Sequence, residues 1–228
     1  IVIQRRAGQA VSTSAERVRM FSWLGIAPSL ANVVGPVTAG LMIDAGGFGA
    51  AYALMLALPL LTGACARWVP REPRDAAPSR PAVASSSWSL LSTPGMKRLL
   101  CVNWLLSACW DVHTFAVPIL GFERGFNATT IGLIVGTFTL AVSGVRLLIP
   151  LWAHRISEVA VLRAAMVGTG AVFALYPLAQ TPWLMGGCAV LLGLTLGSVQ
   201  PMIMSTLHQM TPDGRYGEVI AMRSMVMN

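Results

Sequence analysis

The sequence has 228 residues, of which 55% are hydrophobic and only 11% charged, and its formal net charge is +7. A water-soluble protein of this composition would lack the polar residues needed to cover its surface, so that class is excluded. Nucleic-acid binding is not indicated either, because the cations lie at the ends of apolar stretches and form no basic stripe with interleaved aromatics.

Six apolar stretches, each of about twenty residues, follow one another along the chain. At a rise of about 1.5 Å per residue, a helix of this length crosses the roughly 30 Å hydrocarbon core of a bilayer. We therefore predict an all-α integral membrane protein. The predicted spans are Phe21 to Ile43, Phe48 to Trp68, Leu99 to Gly121, Ile131 to Trp152, Val159 to Ala179 and Trp183 to Leu207.

Both ends of the sequence have the character of interrupted spans. Ile1 to Ile3, just before Arg5, resemble the end of an earlier span, and the apolar run that begins at Val219 stops at Asn228. We expect about six full helices here, out of a larger helical bundle.

Positive charge falls in alternate connections between the spans. Fourteen of the sixteen Lys and Arg residues lie on one side, whereas Arg124 lies on the other and Arg146 lies within a span. By the positive-inside rule the Arg-rich side is cytoplasmic. This pattern predicts a multi-pass protein in the lipid bilayer of the cell inner membrane.

The connection between the second and third spans has a distinct composition. Residues 70–97 are rich in Pro, Arg, Ala and Ser, a composition that cannot bury a core and is typical of a solvated linker. We predict that this cytoplasmic linker separates residues 1–69, the end of one helical bundle, from residues 98–228, the start of a second.

The stretch Ala31 to Gly40 reads ANVVGPVTAG. Its small residues at 31, 35 and 39 give a helix a smooth face for close packing, and Pro36 removes one backbone hydrogen bond. Ordinary small-residue packing also explains this spacing. The stretch is similar to the antiporter motif GxxxGPxxGG of the major facilitator superfamily, with Gly35, Pro36 and Gly40 retained.

A second motif of that family is matched weakly. The cytoplasmic turn motif G-x-x-x-D-R-x-G-R-R corresponds to PLWAHRISEV, in which Arg155 matches and His154 stands in place of Asp. The alternative is a polar turn in which Ser157 or Glu158 caps the next helix.

The resemblance implies helices five to ten, and the start of eleven, of a superfamily transporter. It implies two helical bundles that rock about a central site, a small-molecule substrate, protons as the coupling ion, and a monomer. The antiporter-like motif favours export; uptake symport and a transporter-like sensor without transport are the alternatives.

Two charged residues lie well inside the predicted spans, away from the span ends. A charge near the bilayer centre costs roughly 2.5 to 3.5 kcal/mol on insertion scales, and Asp111 and Arg146 are the candidates. Their depths differ by about 10 Å along the membrane normal, so we do not expect a direct ion pair.

Asp111 belongs to a polar stripe that must face protein or water. Three readings stay open for its carboxylate: substrate or proton coupling, a buried interhelical hydrogen bond, and a solvated periplasmic position. His113 lies about 160° around the helix from Asp111. The stripe consists of Asn103, Ser107, Asp111 and Thr114.

Small residues also mark contacts in later spans. Gly132 with Gly136, and Gly193 with Gly197, form GxxxG pairs of the kind that pack helices closely. Gln200, followed by a proline, breaks the sixth span in this interpretation, either to offer a freed carbonyl to a cavity or as a packed kink.

The sequence contains no motif of an enzyme, such as HExxH, GxSxG or a Walker-type loop. Its four cysteines lie within apolar spans and have no metal-ligand spacing. We predict no catalytic residue, metal site, cofactor or nucleic-acid partner.

Overall fold

The computed structural model describes residues 14–68, 91–152, 157–211 and 216–227. Within these ranges the chain forms helices joined by short turns, without a strand. The helices are α1 Ser14–Ala66, α2 Met96–Glu123, α3 Ala128–Trp152, α4 Glu158–Leu175 with a 3-10 turn Tyr176–Leu178, α5 Pro182–Met210 and α6 Tyr216–Met227.

Five helical segments among the described residues are long and apolar enough to cross a membrane. The first, Leu30–Ala66, has 37 residues, or about 55 Å of helix, nearly twice the thickness of the hydrocarbon core. Gly47 interrupts it with φ 69° and ψ −175°, a conformation that favours glycine. The interruption separates the first two predicted spans, and the prediction of an all-α, multi-span membrane protein is confirmed.

The first turn of α3 is capped by two side chains. Asn127 Oδ1 accepts a hydrogen bond from the Thr130 amide at 2.9 Å. The carboxylate of Asp44, in α1, accepts from the amides of Ala128 at 3.0 Å and Thr129 at 2.7 Å. Because these N–H groups have no partner within the helix, and the helix dipole favours an anion there, Asp44 ties α1 to α3.

Arg124 joins helices at the same end of the bundle, in the turn just before α3. Its guanidinium donates to the carbonyl oxygen of Ala179 at 2.6 Å and to that of Tyr176 at 3.0 Å. These carbonyls follow the end of α4, where cations are favourable. The one loop cation predicted on the non-cytoplasmic side thus joins the α2–α3 turn to the end of α4.

The core is centred on α3 and α5. Phe138 on α3 and Leu192 and Ile203 on α5 are fully buried. On its other side α3 packs against α1, while α4 packs on α5 and α2 contacts α3, α5 and α6. The helix α3 is therefore the element that connects the two parts predicted from the sequence.

Large apolar side chains cover the outside of the bundle. Trp183 is 90% exposed and Leu147 is 72% exposed. Along residues 48–66, Ala51 is the single buried side chain. Contiguous apolar surface of this kind fits contact with lipid or with other apolar helices.

The structure describes both of the helix ends and breaks considered above. The helix α5 continues through Pro201 to Met210 without an interruption after Gln200. Of the two capping candidates for α4, Ser157 makes no side-chain capping hydrogen bond, and Glu158 lies in the first turn. A proline inside a helix costs one backbone hydrogen bond, and the packing of α5 against its neighbours keeps the helix continuous.

Glu158 joins two helices. Its carboxylate accepts from the Ser205 hydroxyl at 3.0 Å and from Gln209 Nε2 at 2.9 Å. It therefore connects the first turn of α4 to the last turns of α5. His154 and Arg155, the candidate positions of the cytoplasmic turn motif, lie outside the described residues, as do residues 70–90 of the predicted linker.

Candidate functional site

A cavity of about 420 Å³ lies between the helices, with walls from α1, α2, α3, α5 and α6. Its volume falls in the range of about 300 to 1,000 Å³ that is common for small-molecule sites. The lining residues are Asn32, Asn103, Leu106, Ser107, Trp110, Asp111, Arg146, Leu196, Val199, Gln200 and Arg223.

Three members of the polar stripe on α2 line this cavity. Asn103, Ser107 and Asp111 are four residues apart and so share one helix face. Thr114 is not part of the lining: its hydroxyl donates to the carbonyl oxygens of its own helix, with 3.0 Å to that of Asp111. The structure thus brings three of the four predicted residues together.

His113 lies on the opposite side of α2. It is fully buried, with Nδ1 3.1 Å from the Tyr176 hydroxyl oxygen and its ring 4.1 Å from that of Phe138, centroid to centroid. This position agrees with its angle around the helix. His113 is a core residue outside the cavity lining.

Arg146 and Gln200 meet across the cavity. Nη2 of Arg146 donates to Oε1 of Gln200 at 2.8 Å, which joins α3 to α5. No ion pair connects Arg146 with Asp111 within the described ranges, where the Asp111 carboxylate is exposed to the cavity and accepts no hydrogen bond. Both charges therefore face the same space without direct contact.

Asn103 and Arg223 form a buried pair. They are 2% and 8% exposed, and Nε of Arg223 donates to Oδ1 of Asn103 at 3.3 Å. Arg223 was counted above among the fourteen cations of the cytoplasmic connections. It lies instead within α6 and lines the cavity.

Pro36 changes the hydrogen bonding of Asn32, four positions earlier in the same helix. A proline has no N–H, so the carbonyl of Asn32 has no partner in its own helix. The hydroxyl of Thr139, on α3, lies 2.9 Å from this carbonyl oxygen. Asn32 also lines the cavity, so the antiporter-like stretch contributes to the cavity wall.

The close contact between α1 and α3 depends on glycines. A methyl group at Gly132 would collide with the carbonyl oxygen of Pro36, and one at Gly40 would collide with the carbonyl of Ala128. At Gly35 a methyl would meet no atom within 4 Å. The helix face that packs against α3 is therefore the one with Gly40, and the face with Gly35 meets no other described helix.

The second GxxxG pair packs α5 against the other side of α3. A methyl at Gly193 would lie 2.5 Å from the carbonyl oxygen of Phe138, and one at Gly197 would lie 2.9 Å from Cα of Val142. Small residues permit backbones to approach closely in membranes. The spacing predicted this contact, and the structure supplies the partner helix.

Besides the aliphatic lining residues, the sequence patterns did not point to Asn32, Trp110 and Arg223. Trp110 lies about 20° from Asn103 on the helical wheel, so a wider stripe would have included it. Arg223 interrupts the apolar run from Val219, which is itself the signal of a charge within a helix. Asn32 had no comparable signal.

The lining offers guanidinium, amide and hydroxyl groups, one carboxylate, and apolar and aromatic surface. Within the described ranges, no group of three or more His, Cys, Asp or Glu residues is placed to hold a metal ion. Such a lining can hold a small molecule by hydrogen bonds and apolar contact.

The family model of the Major Facilitator Superfamily matches residues 7–228. The chain belongs to the major facilitator superfamily. The family named from the ANVVGPVTAG stretch is thereby confirmed, and this superfamily member is a multi-pass membrane protein that transports small-molecule solutes. The superfamily consists of transporters and in general not of enzymes. No curated protein matches the chain.

Proposed function

We propose that this protein is a secondary active transporter that exports a small organic solute by alternating access, driven by the proton gradient. The observation that carries the proposal is the cavity, whose charged and polar lining lies within an otherwise apolar bundle. Polar and charged groups at membrane depth are costly and mark substrate or proton pathways. Alternating-access transporters bind their substrates in such spaces between helices.

Asp111 is the proposed proton carrier. Among the residues that the structure describes, it is the one acidic side chain in the cavity lining. Acidic side chains within membrane-spanning helices are recurring members of proton relays in transporters, and Asp111 lines the cavity. Thr114 supports this position, since its hydroxyl bonds the Asp111 backbone carbonyl.

The remaining predicted pathway residues are proposed to bind the solute. Asn103, Ser107, Arg146 and Gln200 surround the same space as Asp111. The lining also has apolar surface, which includes Trp110. It therefore suits a solute with both polar and apolar parts.

Export is proposed from the resemblance of Gly35, Pro36 and Gly40 to the antiporter motif. Uptake by proton symport is the second candidate, and the guanidinium groups of Arg146 and Arg223 favour it. If the solute is anionic, a proton on Asp111 removes a repulsive charge, so proton and solute bind together. A solute that competes with the proton at Asp111 would instead be exchanged for it.

The orientation is part of the proposal. The asymmetry of loop cations supports insertion in the inner membrane with residues 70–97 in the cytoplasm. We further propose, as the resemblance to the superfamily implies, that a single copy is the functional unit.

The test is proton movement in proteoliposomes that contain the purified protein and a trapped pH-sensitive dye. Benzoate, its amide and benzylamine are added in turn, each with protein-free vesicles as the control. Proton flux with any of the three supports coupled transport, and its sign separates symport from exchange. Binding of a compound without solute or proton flux would identify a sensor and overturn the proposal.

A further inference from the structure

Hydrogen-bond donors dominate one part of the cavity. Arg146 and Arg223 carry only donors, and each contacts an amide side chain, Gln200 at 2.8 Å and Asn103 at 3.3 Å. Both contacts connect different helices. The charges of the lining are these two guanidinium groups and the carboxylate of Asp111.

The two arginines determine how the amides are turned. Because a guanidinium has no acceptor, the oxygen of each amide must face it, which leaves the NH₂ group of the amide for other partners. Asn103 is 2% exposed, and its Nδ2 has no hydrogen-bond partner among the described residues. A buried donor without an acceptor is unfavourable, so an acceptor atom of a ligand would complete this site.

The apolar part of the lining determines which kind of group the ligand carries at its other end. Leu106, Trp110 and Leu196 provide apolar and aromatic surface beside the donors. Guanidinium groups bind carboxylates through two parallel hydrogen bonds, a geometry that a cation or a neutral amine cannot use.

We propose that the transported solute is an organic anion, in which a carboxylate attached to an apolar or aromatic group is bound by Arg146 and the NH₂ group of Asn103. This inference rests on the proposed function, because it names the substrate class of the same cavity, and with an anionic solute it favours the symport candidate over export. The apolar group of the solute contacts Trp110 and the leucines.

The experiment compares ligands that differ only in charge. The thermal unfolding midpoint of the purified protein is measured with 2-naphthoate, 2-naphthamide and 2-naphthylmethylamine at equal concentrations. A ligand that binds the folded state raises the midpoint. We expect the carboxylate to give the largest increase; an equal or larger increase with the amide or amine, or none with all three, overturns the proposal.

Variants identify the residues that bind the anion. Arg146→Gln is expected to weaken 2-naphthoate binding at least tenfold and Arg146→Lys to weaken it less, while Arg163→Gln, an exposed cation of α4 outside the lining, leaves it unchanged. Asn103→Asp is expected to abolish the preference, since it replaces the donor with a repelling charge. Unchanged 2-naphthoate binding in Arg146→Gln and Asn103→Asp overturns the assignment of these residues. If a variant does not fold, the comparison of the three ligands on the wild-type protein still tests the proposal.

Failure of the anion proposal can be distinguished from failure of the proposed transport function. Proton flux driven by an amine or an amide, but not by a carboxylate, would support proton-coupled transport and overturn the proposal that the solute is an anion. Preferential binding of 2-naphthoate in a protein that moves neither solute nor protons would support the anion site and overturn transport.

Discussion

The hydroxyl oxygen of Thr139 lies 2.9 Å from the backbone carbonyl oxygen of Asn32, the carbonyl that Pro36 leaves without a partner in its own helix. Pro36 therefore opens a hydrogen-bonding position on α1, and a residue of α3 fills it. In an apolar environment such a bond between helices contributes about 0.6 to 2 kcal/mol. The proline and Thr139 thus act as a pair across the α1–α3 interface.

Removal of this hydroxyl should cost stability only while the proline is present. Thr139→Val keeps the shape and is expected to lower the free energy of unfolding by about 1 kcal/mol. In the Pro36→Ala background the loss should be smaller, because the backbone amide of the introduced alanine supplies the missing donor. A double-mutant cycle by thermal unfolding in detergent measures this difference.

The matched control is Thr137→Val, since the hydroxyl of Thr137 bonds the Ile134 carbonyl within its own helix at 2.8 Å. The Thr139 hydroxyl also lies 2.9 Å from the Gly136 carbonyl oxygen. If Thr139→Val lowers the free energy of unfolding equally with and without Pro36, the Thr139 hydroxyl donates to the Gly136 carbonyl. That result would contradict the pairing of Pro36 with Thr139.

Two glycines of α3 should respond oppositely to the same substitution. Gly132→Ala pushes a methyl into the backbone of α1 and is expected to destabilise the protein by about 1 to 3 kcal/mol. At Gly144 a methyl meets no atom within 4 Å, so Gly144→Ala should be neutral or gain up to about 1 kcal/mol of helix propensity. Detergent unfolding midpoints compare the two, and equal effects would mean that α1 does not pack closely on α3.

Asp44 should stabilise the start of α3. Asp44→Ala leaves the amides of Ala128 and Thr129 without this acceptor and is expected to cost about 0.5 to 2 kcal/mol, whereas Asp44→Asn keeps an acceptor and should cost less. Hydrogen exchange of these two amides reports the contact directly. Unchanged protection in Asp44→Ala would refute it, and Glu123→Gln serves as the control for loss of a carboxylate.

Proton coupling should depend on the charge of Asp111. Asp111→Asn keeps the shape but cannot titrate, so the variant should insert and bind solute yet lose proton-driven accumulation. A structural role predicts instead that Asn is tolerated and that Asp111→Leu lowers expression. The measurement is accumulation in proteoliposomes against pH, with Glu123→Gln as the control. Transport by Asp111→Asn with an unchanged pH dependence would remove Asp111 from the coupling mechanism.

The orientation can be tested by labelling. In a variant without native cysteines, Ser86→Cys should react with a membrane-impermeant maleimide only when the cytoplasmic side is accessible, as in inverted vesicles. Glu123→Cys, in the opposite set of connections, should react in right-side-out vesicles. The reverse labelling pattern would show that the predicted topology is inverted. The spans would then not correspond to helices five to ten of the superfamily.

Much of the cavity could be anticipated from α2 alone. The spacing of Asn103, Ser107 and Asp111 defines one face, and the cost of a charge in lipid requires that this face meet protein or water. The same periodicity excluded His113 correctly. It could not reveal that Thr114 turns back to its own helix, because a threonine hydroxyl satisfies itself locally when the helix offers a carbonyl.

The packing motif contains the contact with α3, at Pro36 and Gly40. Small residues at 31, 35 and 39 suggested one interface, whereas the structure places Gly40 and the backbone of Pro36 against α3. Pattern within one helix shows where a close approach is possible. It does not show which neighbour uses it.

The sequence by itself determined the succession of apolar spans and the superfamily, because span length and a local motif are properties of single segments of chain. Only the tertiary structure decided that Arg146 meets Gln200, that Arg223 reaches Asn103, and that Thr139 serves the carbonyl freed by Pro36. Those contacts join residues on different helices. They depend on how each helix is rotated and where it crosses its neighbours, and packing of the whole bundle sets both.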